Sequence, residues 1–330
     1  MKILSPLILL IILILIAWVG TALAGLETLF GLVIPYVALI LFIAGFLYRI
    51  YYWSRSPVPF RIPTTCGQAK SLDWIKRDRF ESPSNLFETL IRMAMEILLF
   101  RSLFRNTKAE LKPGPNLHYG SNKWLWLGGM VFHWTFLVII LRHYRFFLEP
   151  IPFVISLTEK IDSFFQVALP ILYLSDILIL AALTFLILRR IFGGPVRYMS
   201  LFQDYFPLYL ISGIVLSGMM MRYLTKTDII KVKQLSQSLI HFDFTVPSGI
   251  GAIFYIHLFL VCVLVSYFPY SKLMHMGGIF FSPTRNLANN SREKRHINPW
   301  NPDVKIRTYH DYEEDFRDKM IASGIPLDKD

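Results

Sequence analysis

The chain has 330 residues, 54% of them hydrophobic, and a formal charge of +11 at neutral pH. Its positive mean hydropathy excludes an ordinary soluble domain. Lys and Arg gather beside particular hydrophobic ends, as membrane orientation requires, so the positive charge does not point to nucleic acid.

Six apolar segments are expected to cross the membrane, at 3–24, 28–52, 124–147, 165–189, 205–223 and 250–270. Each is close to the 20 or so residues that span roughly 30 Å of hydrocarbon as a helix. The first has two readings. Lys2, the apolar run and TALAG resemble a signal peptide cleaved after Ala24, while its long unbroken core fits an uncleaved anchor, the preferred reading. The connection from Arg49 to Lys123 is rich in Lys and Arg, as are the stretches after the fourth and sixth segments (Arg189, Arg190 and Arg197; Lys272, Arg285, Arg292, Lys294 and Arg295). These are expected on the cytoplasmic side. The connection at 148–164, with Glu149, Glu159 and Asp162, is expected outside.

The expected organisation is therefore an N-terminal anchor or signal-like helix (1–27), a first core transmembrane helix (28–53), a cytoplasmic insert (54–122), a four-helix membrane region (123–281) and a cytoplasmic tail (282–330). The fold class is all-α integral membrane, a bundle of about six helices in a prokaryotic cytoplasmic (inner) membrane. Within the insert, LFETLIRMAMEILLFRSLF is apolar enough for a helix lying on the membrane or under a partner. The tail is polar and too short for a core of its own; it is left as either disordered or docked on a partner. Cys66 and Cys262 form neither CxxC nor CxxCH, so structural zinc, iron–sulfur ligation and covalent haem attachment have no support. Cys262 reads as an apolar filler.

Four histidines stand out in the apolar segments. FHWTFLVIILRHY carries His133 and His143, and HLFLVCVLVSYFPYSKLMH carries His257 and His275. A single intramembrane His can simply bond a neighbouring helix; four on two segments are functional candidates. If the third and sixth segments are antiparallel neighbours, His143 faces His257 near the exterior and His133 faces His275 near the cytoplasm. An axial imidazole pair suits six-coordinate haem iron, because the porphyrin supplies the other four ligands. The spacings do not match. Ten residues rise about 15 Å and stop about 80° short of whole turns, whereas 18 make five turns over about 27 Å. A bend at Pro269 is expected to absorb the difference. Zinc or copper would want a third or fourth ligand nearby, and His118, His241, His296 and His310 all lie outside the apolar segments.

The FHW…H and HL…FPYSKLMH stretches, in residue type and spacing, resemble the gamma, cytochrome b subunit of respiratory nitrate reductase. They are similar also to the related membrane cytochrome b of the complex associated with dissimilatory sulfite reductase. IPYVALILFIAGFLYR (34–49) resembles the family's first core helix and LRRIF (188–192) the end of its third. The resemblance covers roughly 28–281, interrupted by 54–122. The extra N-terminal segment, the long insert and the tail RHINPWNPDVKIRTYHDYEEDFRDKM favour the sulfite-reductase-associated branch.

That resemblance implies two non-covalent b-type haems, one on His143 and His257 near the exterior and one on His133 and His275 near the cytoplasm. It implies a quinone pool as substrate, a cytoplasmic iron–sulfur partner similar to heterodisulfide reductase, and further membrane and periplasmic subunits. The family's quinol site uses a Lys before the third core helix; Lys160 is nearest here, offset by about one turn, with Asp162 following. Lys160 reads equally as an interfacial snorkelling residue. Asp176 is either a proton relay or a helix–helix hydrogen bond. Arg142 and Arg145 suit haem propionates or interface anchoring. The expected activity is electron transfer between a menaquinone or quinone pool and the iron–sulfur partner in a sulfur-metabolism complex. The alternatives are the gamma subunit of a nitrate-reductase-type quinol oxidase, a haem-free proton-coupled transporter and a membrane anchor.

Overall fold

A computed structural model describes residues 2–56, 67–114, 116–163, 171–289 and 306–328, with only the backbone of Glu110 and Lys112. Cys66, Arg61, Arg292, Lys294, Arg295, His296 and positions 165–170 of the fourth segment lie outside the described residues. The chain forms two compact units, Met1–Arg55 with Leu90–Asn286, and Ser56–Thr89 with Leu287–Asp330. The expected 54–122 insert is thus divided between them.

The larger unit begins with α1 (Leu4–Trp18), extended by a π-helical turn at Val19–Leu23. Gly25, at φ +64°, takes the left-handed conformation that ends this helix without a Cβ penalty. A second π-helical turn, Leu29–Val33, leads into α2 (Ile34–Ser54), and Pro35 sits in the first turn of α2, where its missing N–H costs least. Next come α3 (Leu86–Leu99), which belongs to this unit from Leu90 onward, and α4 (Arg101–Arg105), separated by Phe100 at φ +49°. On α3 the usual arrangement is inverted. Leu86, Phe87, Leu90, Leu98 and Leu99 are exposed, while Thr89, Arg92 and Glu96 are buried.

An antiparallel hairpin, β1 (Thr107–Lys112) with β2 (Asn116–Ser121), pairs Thr107 with Ser121. It is a small exception to the all-α expectation, and its signal was a Pro113–Gly114 turn between alternating residues. The remaining helices are α5 (Lys123–His143), α6 (Phe153–Asp162), α7 (Leu174–Phe192), α8 (Gly194–Met199), α9 (Phe202–Met219), α10 (Ile229–His241), α11 (Ala252–Tyr267) and the single turn α12 (His275–Gly278).

Among the described residues, five helices are long and apolar enough to cross a membrane: Leu4–Leu23, Leu29–Ser54, Lys123–Phe146, Phe202–Thr225 and Ala252–Tyr270. They match the first, second, third, fifth and sixth expected segments. α7 has 19 residues but carries Asp176, Arg189 and Arg190. The chain is a multi-pass membrane protein. Leu4, Ile8, Ile12 and Leu15 on α1, with Ile40 and Leu47 on α2, are exposed, as lipid-facing positions should be.

α1 packs on α9 and α11, α2 on α11, and α5 and α9 on α7. Lipid is as apolar as Leu, so close packing rather than water exclusion must hold such helices together. Small residues permit it. A Cβ at Gly128 of α5 would come within 2.5 Å of the Phe185 ring, and one at Gly213 of α9 within 3.0 Å of Leu10. One core gathers Leu10, Phe30, Tyr205, Leu210 and Leu260; a second gathers Ile179, Leu183 and Ile211, with Phe132, Phe136 and Ile139 against it.

In the smaller unit, Asn289 Nδ2 donates to Ser82 Oγ at 3.1 Å. Arg77 pairs with Glu88 at 2.8 Å. Burial pushes the Glu88 carboxyl up, but the Ser84 amide and the Arg77 guanidinium outweigh it and hold it below its usual range. The tail is helical over α13 (Tyr309–Ala322). Thr308 and Asp311 form a capping box there, a Thr-x-x-Asp signal readable in the sequence.

Candidate bis-histidine metal centres

The two histidines of α5 each find a hydrogen-bond partner four residues back. His133 Nδ1 lies 2.8 Å from Gly129 O and His143 Nδ1 2.7 Å from Ile139 O. His275 Nδ1 does the same to Lys272 O, three residues back, at 2.9 Å. His257 Nδ1 lies 3.0 Å from Ser217 Oγ on α9. A carbonyl can only accept, so Nδ1 carries the proton in the first three; at His257 the Ser217 hydroxyl donates to Ile214 O at 2.9 Å, which leaves its oxygen to accept from Nδ1. All four rings are left with an Nε2 lone pair for a metal.

The rings meet in the expected pairs. His143 and His257 have centroids 6.3 Å apart with planes 12° from parallel; His133 and His275 are 5.9 Å apart at 87°. Two metal–nitrogen bonds of about 2 Å each, plus the two ring radii, sum to roughly 6 Å. α5 and α11 are not among the closely packed helix pairs, and His133, His143 and His275 are exposed. Among the described residues no group of three or more His, Cys, Asp and Glu is placed to hold a metal ion. Among the described residues a metal between either pair has the two imidazoles as its only grouped ligands, and a porphyrin would supply the other four.

The unequal spacing is resolved at Pro269. α11 ends at Tyr267, a 3₁₀ turn runs through Phe268–Tyr270, Ser271 is extended, and a further 3₁₀ turn, Lys272–Met274, delivers His275. The two histidines are thus not on one helix, and the mismatch in turns disappears. α2 holds this break in place. Arg49 Nε donates to Pro269 O at 3.1 Å, and a Cβ on Gly45 would come within 2.8 Å of Pro269 Cβ. Lys272 pairs with Asp204 of α9 at 2.7 Å, and Ser271 Oγ accepts from Leu273 N at 3.1 Å. Phe100 and Phe132 each set an edge against His133 at 5.0 Å. Phe100 was not legible as a site residue, because its left-handed backbone between α3 and α4 has no local sequence signal.

Beside the His143–His257 pair lies a dense polar cluster. Arg142 Nη1 donates to Asp162 Oδ2 at 2.5 Å and to Ser175 Oγ at 2.6 Å, and stands 3.7 Å from Asp176 Oδ1. Asp162 Oδ1 accepts from Ser175 N at 2.7 Å, capping α7 from another helix. Tyr223 OH donates to Asp176 Oδ2 at 2.6 Å. The Tyr173 ring is stacked between two guanidiniums, Arg142 at 3.3 Å and Arg222 at 4.1 Å. Its hydroxyl donates to Glu159 at 2.8 Å, and Glu159 also pairs with Arg145. Asp162 and Asp176 thus come together, whereas Lys160 is exposed and makes no ion pair among the described residues. Tyr173, Arg222 and Tyr223 were missed, since residues so far apart in sequence become neighbours only through the fold. His241 keeps to its own helix, with Nε2 3.2 Å from Gln237 Oε1.

The sequence profile of the nitrate reductase gamma subunit matches residues 93–292. The chain belongs to the nitrate reductase gamma subunit family. The family match includes all four histidines and the polar cluster, and it starts within α3, leaving α1 and α2 outside it. The chain is also similar to two curated relatives, each named an Hdr-like menaquinol oxidoreductase cytochrome b-like subunit. The Archaeoglobus fulgidus protein is 46% identical over 280 residues, and the Archaeoglobus profundus protein 38% over 283; each alignment covers 83% of both chains.

Proposed function

We propose that this chain is a dihaem cytochrome b subunit that passes electrons between a menaquinone pool and a cytoplasmic iron–sulfur partner resembling heterodisulfide reductase. The observation that carries the reading is the two imidazole pairs that the middle and the C-terminal end of α5 form with His275 and His257, with every Nδ1 hydrogen-bonded and no hydrogen bond to any Nε2 among the described residues. The chain's share of the work is axial ligation, exclusion of water and control of the electrostatics around each site. When bound, two haems supply one-electron carriers in series, so that a two-electron quinol can feed a one-electron path across the membrane. The names of the archaeal relatives support the menaquinol and the Hdr-like partner.

His143 and His257 are assigned to the exterior side and His133 and His275 to the cytoplasmic side, on the distribution of Lys and Arg. Quinol oxidation is assigned to the His143–His257 end, where the polar cluster stands. There Asp162, with both oxygens occupied by Arg142 and Ser175, holds α6, α5 and the start of α7 together. Asp176, which accepts from Tyr223 OH, is the carboxylate assigned to take a proton and pass it on. Lys160, at the surface of α6, is the family-type contact for the quinone ring.

The test is a reduced-minus-oxidised absorption spectrum of the purified protein, with pyridine haemochrome quantitation. Two low-spin b haems per chain are expected. A well-folded preparation with none returns the histidines to helix packing or proton transfer and ends the cytochrome reading.

A further inference from the structure

Three of the four imidazoles hand the Nδ1 proton to a backbone carbonyl of their own segment. At His257 the partner is a side chain on another helix, Ser217, beside the Ile214 carbonyl of that same helix. Ser217 of α9 places Oγ 3.0 Å from His257 Nδ1 and donates its own hydrogen to Ile214 O at 2.9 Å. With that hydrogen committed, the oxygen presents a lone pair to the ring, and the chained bonds polarise one another. Ser217 is only 5% exposed. The next residue completes the seat. A Cβ at Gly218 would lie 3.2 Å from His257 Cε1 and 3.6 Å from Nδ1, so the ring rests against α9 where a side chain would crowd it.

We infer that Ser217 is a positioning residue that fixes the tautomer and donor strength of His257, and so sets the reduction potential of the haem held with His143 independently of the other haem. This rests on the dihaem reading. An acceptor at Nδ1–H raises the basicity of Nε2, and a more basic axial ligand favours the oxidised iron. Removing the hydroxyl weakens that ligand and raises the potential. The His133–His275 pair has backbone carbonyls of its own segments as acceptors and shares no hydrogen bond with Ser217.

The experiment is a redox titration of purified, haem-loaded protein, wild type against Ser217→Ala, following the absorbance of both haems. Wild type first shows whether two haems are present; their absence sinks the dihaem reading and this inference with it. Given two haems, Ser217→Ala is expected to shift one potential upward and leave the other unmoved, with Ser217→Thr, which restores the hydroxyl, returning toward wild type. No shift, a downward shift, or an equal shift in both haems overturns the role of Ser217 while leaving the dihaem reading intact. Should Ser217→Ala lose that haem, Ser217→Cys, close in volume and a weaker acceptor, decides the matter. An upward shift of the one haem supports the inference, and a wild-type potential overturns it.

Discussion

At His143–His257 the rings lie 12° from parallel, one ligand leans on a serine of another helix, and carboxylates and guanidiniums crowd the adjoining turn of α5. At His133–His275 the rings stand at 87°, both acceptors are local backbone, and the neighbours of His133 are the phenyl rings of Phe100 and Phe132. Both sites use the same two stretches of chain. One pair thus adjoins a buried network of charges, whereas the other has aromatic edges around His133 and the largely exposed Lys272 pairing with Asp204 near His275.

The largest effect that would break this comparison is loss of a ligand. His143→Ala or His257→Ala is expected to remove one haem of the two, and His133→Ala or His275→Ala the other, measured as haem per chain. Each single-haem variant then sharpens the contrast by electron paramagnetic resonance. The site with near-perpendicular rings should give the more anisotropic low-spin signal, and identical signals from the two variants would contradict the ring angles.

Next in size is the buried charge. Asp162→Ala leaves Arg142 without its closest carboxylate, and breaking a buried pair from one side costs about 3–5 kcal/mol. Thermal unfolding in detergent should show it, with the haem of His143–His257 lost before the other. Gly45→Ala tests the opposite end. Forcing a methyl against Pro269 and Tyr270 should cost about 1–3 kcal/mol, with loss confined to the haem of His275. The smallest change belongs to Lys272→Ala. That lysine is largely exposed where it meets Asp204, so its removal should cost about 1 kcal/mol or less. A cost near that of Asp162→Ala would remove the distinction between the buried charges at one pair and the exposed ion pair at the other.

Much of this architecture is legible in the amino-acid sequence. The apolar runs from Leu4 to Leu23 and from Ala252 to Tyr270 announce membrane helices because an unpaired backbone is intolerable in lipid. Antiparallel order alone predicts which histidine faces which. The hairpin at 107–121 and the helix at 309–322 carry local signals, the Pro–Gly turn and the capping box, that apolar patterning does not register. The polar cluster is half legible. Asp162, Asp176 and Arg142 are conspicuous beside apolar runs, but Tyr173, Arg222 and Tyr223 are ordinary residues until α5, α7 and the end of α9 meet.

The sequence by itself determined the membrane class, the four intramembrane histidines and which of them meet, because hydrophobic length and residue type act locally along the chain. The tertiary structure decided how the pairs are held. The break at Pro269 depends on Gly45 and Arg49 of α2, the seat of His257 depends on Ser217 and Gly218 of α9, and the salt-bridge cluster depends on α6 reaching α7. Ring angle, acceptor and charge are each set by helices that touch only after folding, so no local pattern could have written them in advance.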